Sequence, residues 1–270
     1  MKKVKKIKSI ALRKNVKIKK IENSGLLKSL KFNNHDQKYN LIIVCSGSNS
    51  DLVKSIFSNQ FIENSYDETS ITAIAKHKSF KNNTARQFFL ENEILALLPI
   101  SNTQTSIVWS VKNNIYPKNN LLIKRKIKLY TKKFLGKINF ESKIEYKNLN
   151  FKISKDYYKD RILLFGDALH VVHPFVGQGF NMILRDLLCL KKILKNKINL
   201  GLDIGSSSIL SEFSEKTKPG NFIYSVGIDL IKNSFSLKNK SFKKIRSGIL
   251  QTFNKNNFFK DVAFNIADKG

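Results

Sequence analysis

The sequence predicts an α/β protein with a buried parallel sheet, a separate antiparallel sheet and helices towards its C-terminal end. Two mainly apolar runs, 39–45 and 161–165, each stop at a turn that contains glycine, and such runs are typical of parallel strands buried on both faces. Between them, residues 66–112 consist of short β-branched or aromatic segments separated by Asn, Ser and Thr, which indicates an antiparallel sheet. Apolar spacing predicts helices over 178–196 and across most of 206–268.

Periodicity and turn residues predict the remaining elements. Residues 15–22 and 26–32 alternate apolar and basic side chains on either side of Asn23-Ser24-Gly25, which indicates a hairpin with one face in water. We expect Pro219-Gly220 to interrupt the C-terminal helices. The other predicted elements are a short helix, a longer helix and two strands, over 52–57, 119–135, 138–146 and 151–154.

The composition limits the compartment and leaves the role of the charge open. Lys and Arg number 49 against 20 Asp and Glu, which is compatible with a Lys-rich composition bias, an anionic membrane surface or nucleic acid. The cations are spread along the chain and Lys exceeds Arg, which argues against a nucleic-acid site. The two cysteines, Cys45 and Cys189, cannot form a disulfide framework. No run approaches the ~20 apolar residues of a membrane span, and we expect a cytoplasmic chain.

The residues after the second apolar run have the properties of a ligand site. Gly166-Asp167 follows the predicted strand directly, and an acid at that edge of an α/β sheet can accept hydrogen bonds from ribose hydroxyls. Pro174 stiffens the loop that follows. Either residue type alone is common in ordinary turns, so their combination with the next segment decides the interpretation.

That next segment, Gly177-Gln178-Gly179, opens the helix predicted over 178–196. Glycines at such a point let a planar ligand approach the backbone closely. The exposed N–H groups and the positive dipole end of the helix stabilise an anionic group, and Asn181 can add a hydrogen bond from its side chain. Loop glycines and a capping Asn are the alternative interpretation of each residue alone, but the joint order and spacing favour a ligand site.

The string GDALHVVHPFVGQGFNMILRDLLCL closely resembles the second flavin-binding signature of the aromatic-ring hydroxylases of the p-hydroxybenzoate hydroxylase type. Within them it is most similar to the ring hydroxylases of ubiquinone biosynthesis. Leu169 stands where the family has alanine. The matching positions are Gly166, Asp167, Ala168, His170, Pro174, Gly177, Gln178, Gly179, Asn181 and Asp186.

Further segments resemble the same branch and extend the resemblance from about residue 15 onwards. They are NEILALLPI and TSIVWSV, which contain Pro99 and Ser110, and the stretch 210–235. Two features depart from the family. Ser46-Gly47 replaces its Asp-Gly motif, with Val53 or Lys54 near the place of its arginine. The family's Gly-x-Gly-x-x-Gly unit, which holds the cofactor's pyrophosphate, has no counterpart in the sequence; we expect a truncated or split gene, or another chain that supplies this unit.

The resemblance implies an incomplete FAD/NAD(P)-binding Rossmann-like domain with an inserted, mainly antiparallel substrate-domain sheet and C-terminal helices. The implied boundaries run in chain order: 1–60 for the partial FAD-binding domain, 61–150 for the substrate-domain sheet, 151–200 for the flavin-ring signature and 201–270 for the C-terminal helices.

The activity implied by the resemblance is flavin-dependent hydroxylation of a phenolic ring, with FAD as cofactor and NAD(P)H as electron donor. The implied substrate is a polyprenylated ubiquinone precursor, which would give the basic surface a use on the inner membrane face. A hydroxylase of the same fold with a soluble phenol and a non-catalytic remnant or partner subunit remain alternatives. The resemblance assigns no catalytic acid or base, and His170 and His173 lack a third residue at metal-ligand spacing. The implied cofactor-binding residues are Gly166, Asp167, Pro174, Gly177, Gln178, Gly179 and Asn181.

Overall fold

A computed structural model describes residues 7–32, 35–58, 60–90, 93–115, 119–174 and 178–236. The strands are β1 Ile18–Ser24, β2 Leu27–Phe32, β3 His35–Tyr39, β4 Ile42–Val44, β5 Phe61–His77, β6 Arg86–Leu90, β7 Glu93–Ser101, β8 Gln104–Lys112, β9 Ile138–Phe140, β10 Glu145–Ser154, β11 Tyr158–Lys159, β12 Ile162–Leu164 and β13 His170–Val171. The helices are α1 Asp51–Ile56, α2 Asn120–Leu135, α3 Gln178–Asn199 and α4 Ser207–Ser236.

The chain divides into two compact units. The first unit comprises Met1–Phe61, Ser154–His170 and Arg185–Pro219, and the second comprises Ile62–Ile153, Val171–Leu184 and Gly220–Gly270. Strands and helices are mixed in the chain, which confirms the predicted α/β class. No helix among the described residues is both long and apolar enough to cross a membrane.

The first unit begins with a three-stranded antiparallel sheet in the order β1-β2-β3. β1 and β2 form the predicted hairpin, which closes at Gly25 with φ +60°. The expected wet face is interrupted at Lys28, which is only 6% exposed. Its ammonium group tolerates burial because it donates hydrogen bonds to Asn23 and, at 3.0 Å, to Asp160.

The second sheet of the first unit has the order β11-β12-β4, with β12 and β4 parallel. The two apolar runs therefore pair in one sheet, as predicted. The run 39–45 is not one strand, however, because β3 ends at Tyr39 and β4 starts at Ile42. Burial on both faces holds for β12 but is wrong for β4, where Ile43 is 41% exposed. Ile43 is exposed on the edge strand, whereas Leu163, its register partner in the central strand β12, is fully buried.

The second unit is built on a seven-stranded sheet in the order β13-β10-β5-β8-β7-β6, with β9 paired to β5. The pairs β5–β8, β6–β7 and β7–β8 are antiparallel, which confirms the prediction for 66–112. One face packs on α2, where Ile123 and Ile127 are buried with Trp109 of β8. Asn119 caps α2 because its side-chain oxygen accepts the N–H groups of Leu121 and Leu122.

The helix α4 continues through Pro219, so the predicted interruption at Pro219-Gly220 is wrong. A proline inside a helix removes one backbone hydrogen bond and costs about 3 kcal/mol or more. The burial of the apolar side chain of Phe213 offsets part of this cost. Phe213 and Thr217 are buried before it, and Asn221 and Ser225 after it, at the spacing of one helix face. Residues beyond 236 of the predicted 206–268 helical region lie outside the described residues.

Candidate functional site

Both parallel strands of the first unit are followed by a turn with a left-handed glycine. Gly47 comes three residues after β4 with φ +83°, and Gly166 comes two residues after β12 with φ +64°. Glycine adopts this conformation without the steric cost of a side chain. Val44 pairs with Leu164 in the parallel register, so both turns leave the same edge of the sheet. In open α/β sheets, ligands bind at this carboxyl edge.

The turn after β12 presents one carboxylate to solvent. Gly166–Ala168 forms a 3₁₀ turn, closed by the N–H of Leu169, which donates to the carbonyl of Gly166 at 2.8 Å. Asp167 is exposed while both of its neighbours are buried. A Cβ atom on Gly166 would meet no atom within 4 Å. The Gly-Asp pair therefore combines free space beside the Gly166 Cα atom with an exposed carboxylate that can accept hydrogen bonds from hydroxyl groups.

The opposite edge of the same sheet is held by an ion pair. The guanidinium group of Arg161, which precedes β12, donates to the carbonyl of Asn40 at 3.0 Å and to the carboxylate of Asp203 at 2.9 Å. The hydrogen bond from Arg161 lowers the pKa of Asp203, and the N–H of Gly205 adds to the effect. This arrangement fixes the starts of β4 and β12, and so the direction in which their carboxyl ends project.

A buried histidine joins the signature to α3 within the first unit. The Nε2 atom of His170 lies 2.8 Å from Oδ2 of Asp186, and both side chains are almost completely buried. The pair fixes the backbone that leaves the Gly166–Ala168 turn against the helix. The sequence marks both residues as part of the family pattern but gives neither a role, because the contact between them is visible only in the fold.

The second unit contains the loop that leads into α3. His173 is buried and hydrogen-bonded to Glu68 of β5, while the next residue, Pro174, is exposed. The partnership with Glu68 was not predicted. The sequence shows only that Tyr66 and Glu68 are two residues apart, and this spacing does not identify a histidine as their neighbour.

The first turn of α3 contains the last of the predicted cofactor-binding residues. Gln178 is the first helical residue, and Gly179 follows, where a Cβ atom would lie 3.5 Å from Val172 Cγ2. Asn181 is half-buried. Gly177 lies outside the described residues. Among the residues that the structure describes, no group of three His, Cys, Asp or Glu side chains could hold a metal ion.

Two curated proteins of ubiquinone biosynthesis resemble this chain. Ubiquinone biosynthesis monooxygenase COQ6, mitochondrial, of Xenopus tropicalis is 26% identical over 253 residues, which cover 79% of this chain and 54% of that protein. Ubiquinone hydroxylase UbiL of Rhodospirillum rubrum is 28% identical over 176 residues, covering 63% and 41% respectively. The chain thus spans about half the length of the curated relatives that it matches.

Solved structures share the fold at low sequence identity. HpxO of Klebsiella pneumoniae, complexed with FAD and uric acid, superposes with a TM-score of 0.69 at 13% identity, covering 94% of this chain and 67% of that one. PqsL of Pseudomonas aeruginosa, described as a probable FAD-dependent monooxygenase, gives 0.70 at 13% identity, covering 86% and 66%. The predicted fold is therefore confirmed.

The sequence profile of the squalene epoxidase family matches residues 38–266, which is most of the chain. Both curated relatives have ubiquinone-biosynthesis names, and the branch that the sequence resembles is the same one. The chain belongs to the squalene epoxidase family.

Proposed function

We propose that this chain is the flavin-facing part of an FAD-dependent monooxygenase that hydroxylates the phenolic ring of a polyprenylated ubiquinone precursor. The observation that supports the proposal best is the left-handed Gly166 and exposed Asp167 directly after a buried parallel strand. The relatives named for ubiquinone biosynthesis support the phenolic substrate.

The chain's own residues fit the flavin end of FAD. The Asp167 carboxylate would accept hydrogen bonds from the sugar hydroxyls, and the bare backbone at Gly166 leaves room for the ligand. We assign Pro174, Gly177, Gly179 and Asn181 to the isoalloxazine side of the flavin. When bound, the flavin supplies the oxygen chemistry with electrons from NAD(P)H, while the protein binds, orients and excludes water. We assign no acid or base to the reaction.

The pyrophosphate end of FAD needs donors that this sequence lacks, since no Gly-x-Gly-x-x-Gly pattern occurs in it. We propose that a further polypeptide segment holds the pyrophosphate on a helix N-terminus. Each missing charge-assisted hydrogen bond is worth about 1.5–3 kcal/mol, so the loss of several weakens binding by orders of magnitude.

We further propose that the protein docks peripherally on an anionic membrane. The net charge of +29 supports this, because basic residues near an anionic surface add about 1 kcal/mol each to binding. A polyprenyl substrate resides in the bilayer, so docking would bring the site to its substrate.

Purification with excess FAD, followed by desalting, tests the assignment. The chain alone should lose its flavin, whereas the chain co-expressed with the glycine-rich unit of a ubiquinone hydroxylase should stay yellow and oxidise NAD(P)H when given a polyprenyl phenol. Asp167→Ala should lose the flavin in that complex, and Asp156→Ala, an exposed acid of the same unit, should keep it. Stoichiometric flavin on the chain alone would refute the need for a second segment. Flavin retention without turnover would indicate a non-catalytic subunit, and turnover of soluble phenols alone would contradict the polyprenyl substrate.

A further inference from the structure

A buried imidazole–carboxylate pair connects the loop before α3 to β5 in the second unit. The side chain of His173 is 1% exposed and that of Glu68 is 10% exposed, and Nε2 of the histidine lies 2.9 Å from Oε2 of the glutamate. The ring of Tyr66 meets the imidazole edge-on, with 4.9 Å between ring centroids and 84° between planes. Two residues of one strand therefore contact the same histidine.

The backbone between these two residues has an unusual conformation. Asp67 has φ +50° inside β5, a region that residues with a side chain rarely adopt. The antiparallel pairing with β8 starts at the next residue, Glu68, and the Asp67 carbonyl accepts the N–H of Asn113 at 2.9 Å. An irregularity of this kind bends a strand and redirects its side chains. Such backbone conformations persist where the surrounding structure requires them, and they cluster at functional sites.

Tyr66, which contacts His173, also packs on a buried apolar cluster. Phe151, Ile153, Val172 and Met182 form a buried cluster on which Tyr66 packs. A buried carboxylate is costly unless it is paired, and a well-packed apolar pair often stabilises a protein as much as a buried ion pair does. Stability alone therefore gives no reason for Glu68 and His173 at these positions. The hydrogen bond between them instead fixes the orientation of the imidazole ring and of the backbone that bears it.

We propose that Glu68 is a positioning residue, which acts through His173 to fix the backbone from Val172 to Pro174. Pro174 is among the residues that we assign to the flavin ring, so the inference rests on the proposed function. His173 and Val172 stand directly before Pro174, and Gly179 of α3 lies against Val172. Holding His173 on β5 thus holds the loop at the place where the flavin ring would lie.

Hydrogen exchange of the full chain tests the positioning directly, without any cofactor. Glu68→Ala removes the acceptor, Glu68→Gln keeps an oxygen that can accept from the imidazole N–H, and Glu63→Gln is a control on the same strand. Glu63 pairs with Lys152 at 2.6 Å, and its side chain is 55% exposed. We expect the peptide covering 171–184 to exchange at least tenfold faster in Glu68→Ala, with residues 104–112 of β8 unchanged. Glu68→Gln should restore most of the protection, and Glu63→Gln should leave exchange in 171–184 at the wild-type rate.

Riboflavin has the isoalloxazine ring without the pyrophosphate. Its binding distinguishes the positioning role of Glu68 from the proposed location of the flavin site. Quenching of riboflavin fluorescence should weaken in Glu68→Ala and recover in Glu68→Gln, following the order of the exchange rates. Unchanged exchange in 171–184, equal loss of protection throughout the second unit, or a Gln variant as fast as the Ala variant would each overturn the positioning role. The expected exchange pattern in a wild-type chain that binds no riboflavin would support the positioning of the loop and count against the flavin site itself.

Discussion

Replacing Gly166 of the signature by alanine should destabilise the protein, whereas replacing Gly179 by alanine should leave its stability unchanged or raise it slightly. Gly166 has φ +64°, and a Cβ atom added there would have no atom within 4 Å, so Gly166→Ala meets no clash and its cost lies in the backbone alone. An L-residue in the left-handed region costs about 1–2 kcal/mol, and the reduced entropy of the unfolded chain returns about 0.4–1 kcal/mol. The net loss is about 1 kcal/mol.

Gly179→Ala is the matched control, because this glycine lies within α3. Its new Cβ atom would make an ordinary contact, 3.5 Å from Val172 Cγ2, and alanine is favoured over glycine in a helix by up to about 1 kcal/mol. This variant should therefore be as stable as the wild type or slightly more stable. Under the flavin proposal, however, each methyl group would reduce the space left for the flavin beside the backbone, so both variants should bind riboflavin less well.

Thermal unfolding and riboflavin quenching measure the two effects separately. For a chain of this size, ~1 kcal/mol corresponds to a change in Tm of about 2–4 °C, which should be a decrease for Gly166→Ala. A Gly166→Ala variant that is more stable than the wild type would contradict the left-handed turn, and a destabilised Gly179→Ala would contradict the helical position. Wild-type riboflavin affinity in both variants would refute the placement of the flavin at these glycines.

Three further predictions concern the surface and the sheet edge opposite the site. Liposomes with anionic lipid should retain the protein at low salt and release it near physiological ionic strength, where screening shortens to ~8 Å; equal partitioning onto neutral liposomes would leave composition bias as the reason for the charge. Because Arg161 lowers the pKa of Asp203, the pair's contribution to stability is present above the unfolded-state pKa of ~3.9 and is lost as the pH falls through the lower folded-state value. Acid unfolding curves should therefore lose this component in Asp203→Asn, and unchanged curves would argue against the pair. Gly205→Ala should destabilise by at least about 2–3 kcal/mol in urea unfolding, because its Cβ atom would lie 1.8 Å from the carbonyl oxygen of Asn40; a neutral effect would refute this packing.

Elements defined by local pattern were predictable from the sequence. The apolar run before Gly166-Asp167 identified β12, and the alternation around Gly25 identified the first hairpin, because strand and turn preferences act over a few neighbouring residues. The same local preferences wrongly predicted a helix interruption at Pro219. The cost of a proline in a helix is local, whereas the burial of Phe213 that offsets part of it depends on the tertiary structure.

The contacts that fix the candidate site could not be predicted from the sequence, because they too depend on the tertiary structure. Glu68 and His173 are separated by 105 positions, and no periodicity connects residues that far apart. His170 and Asp186 belong to the recognisable family pattern, yet their hydrogen bond follows only from the way α3 packs. The left-handed Asp67 inside β5 likewise contradicts the ordinary preference of a non-glycine residue.

Chemical-shift mapping with riboflavin tests most directly whether the strand–turn–helix segment is a flavin site. Riboflavin does not depend on a pyrophosphate site, so a weak but specific complex with the chain should form at high ligand concentration. We expect the amide signals of Gly166, Asp167, Gly179 and Asn181 to shift together along one binding curve, and Asp167→Ala to weaken that curve. Saturable riboflavin binding that leaves these amides unshifted would contradict the assignment.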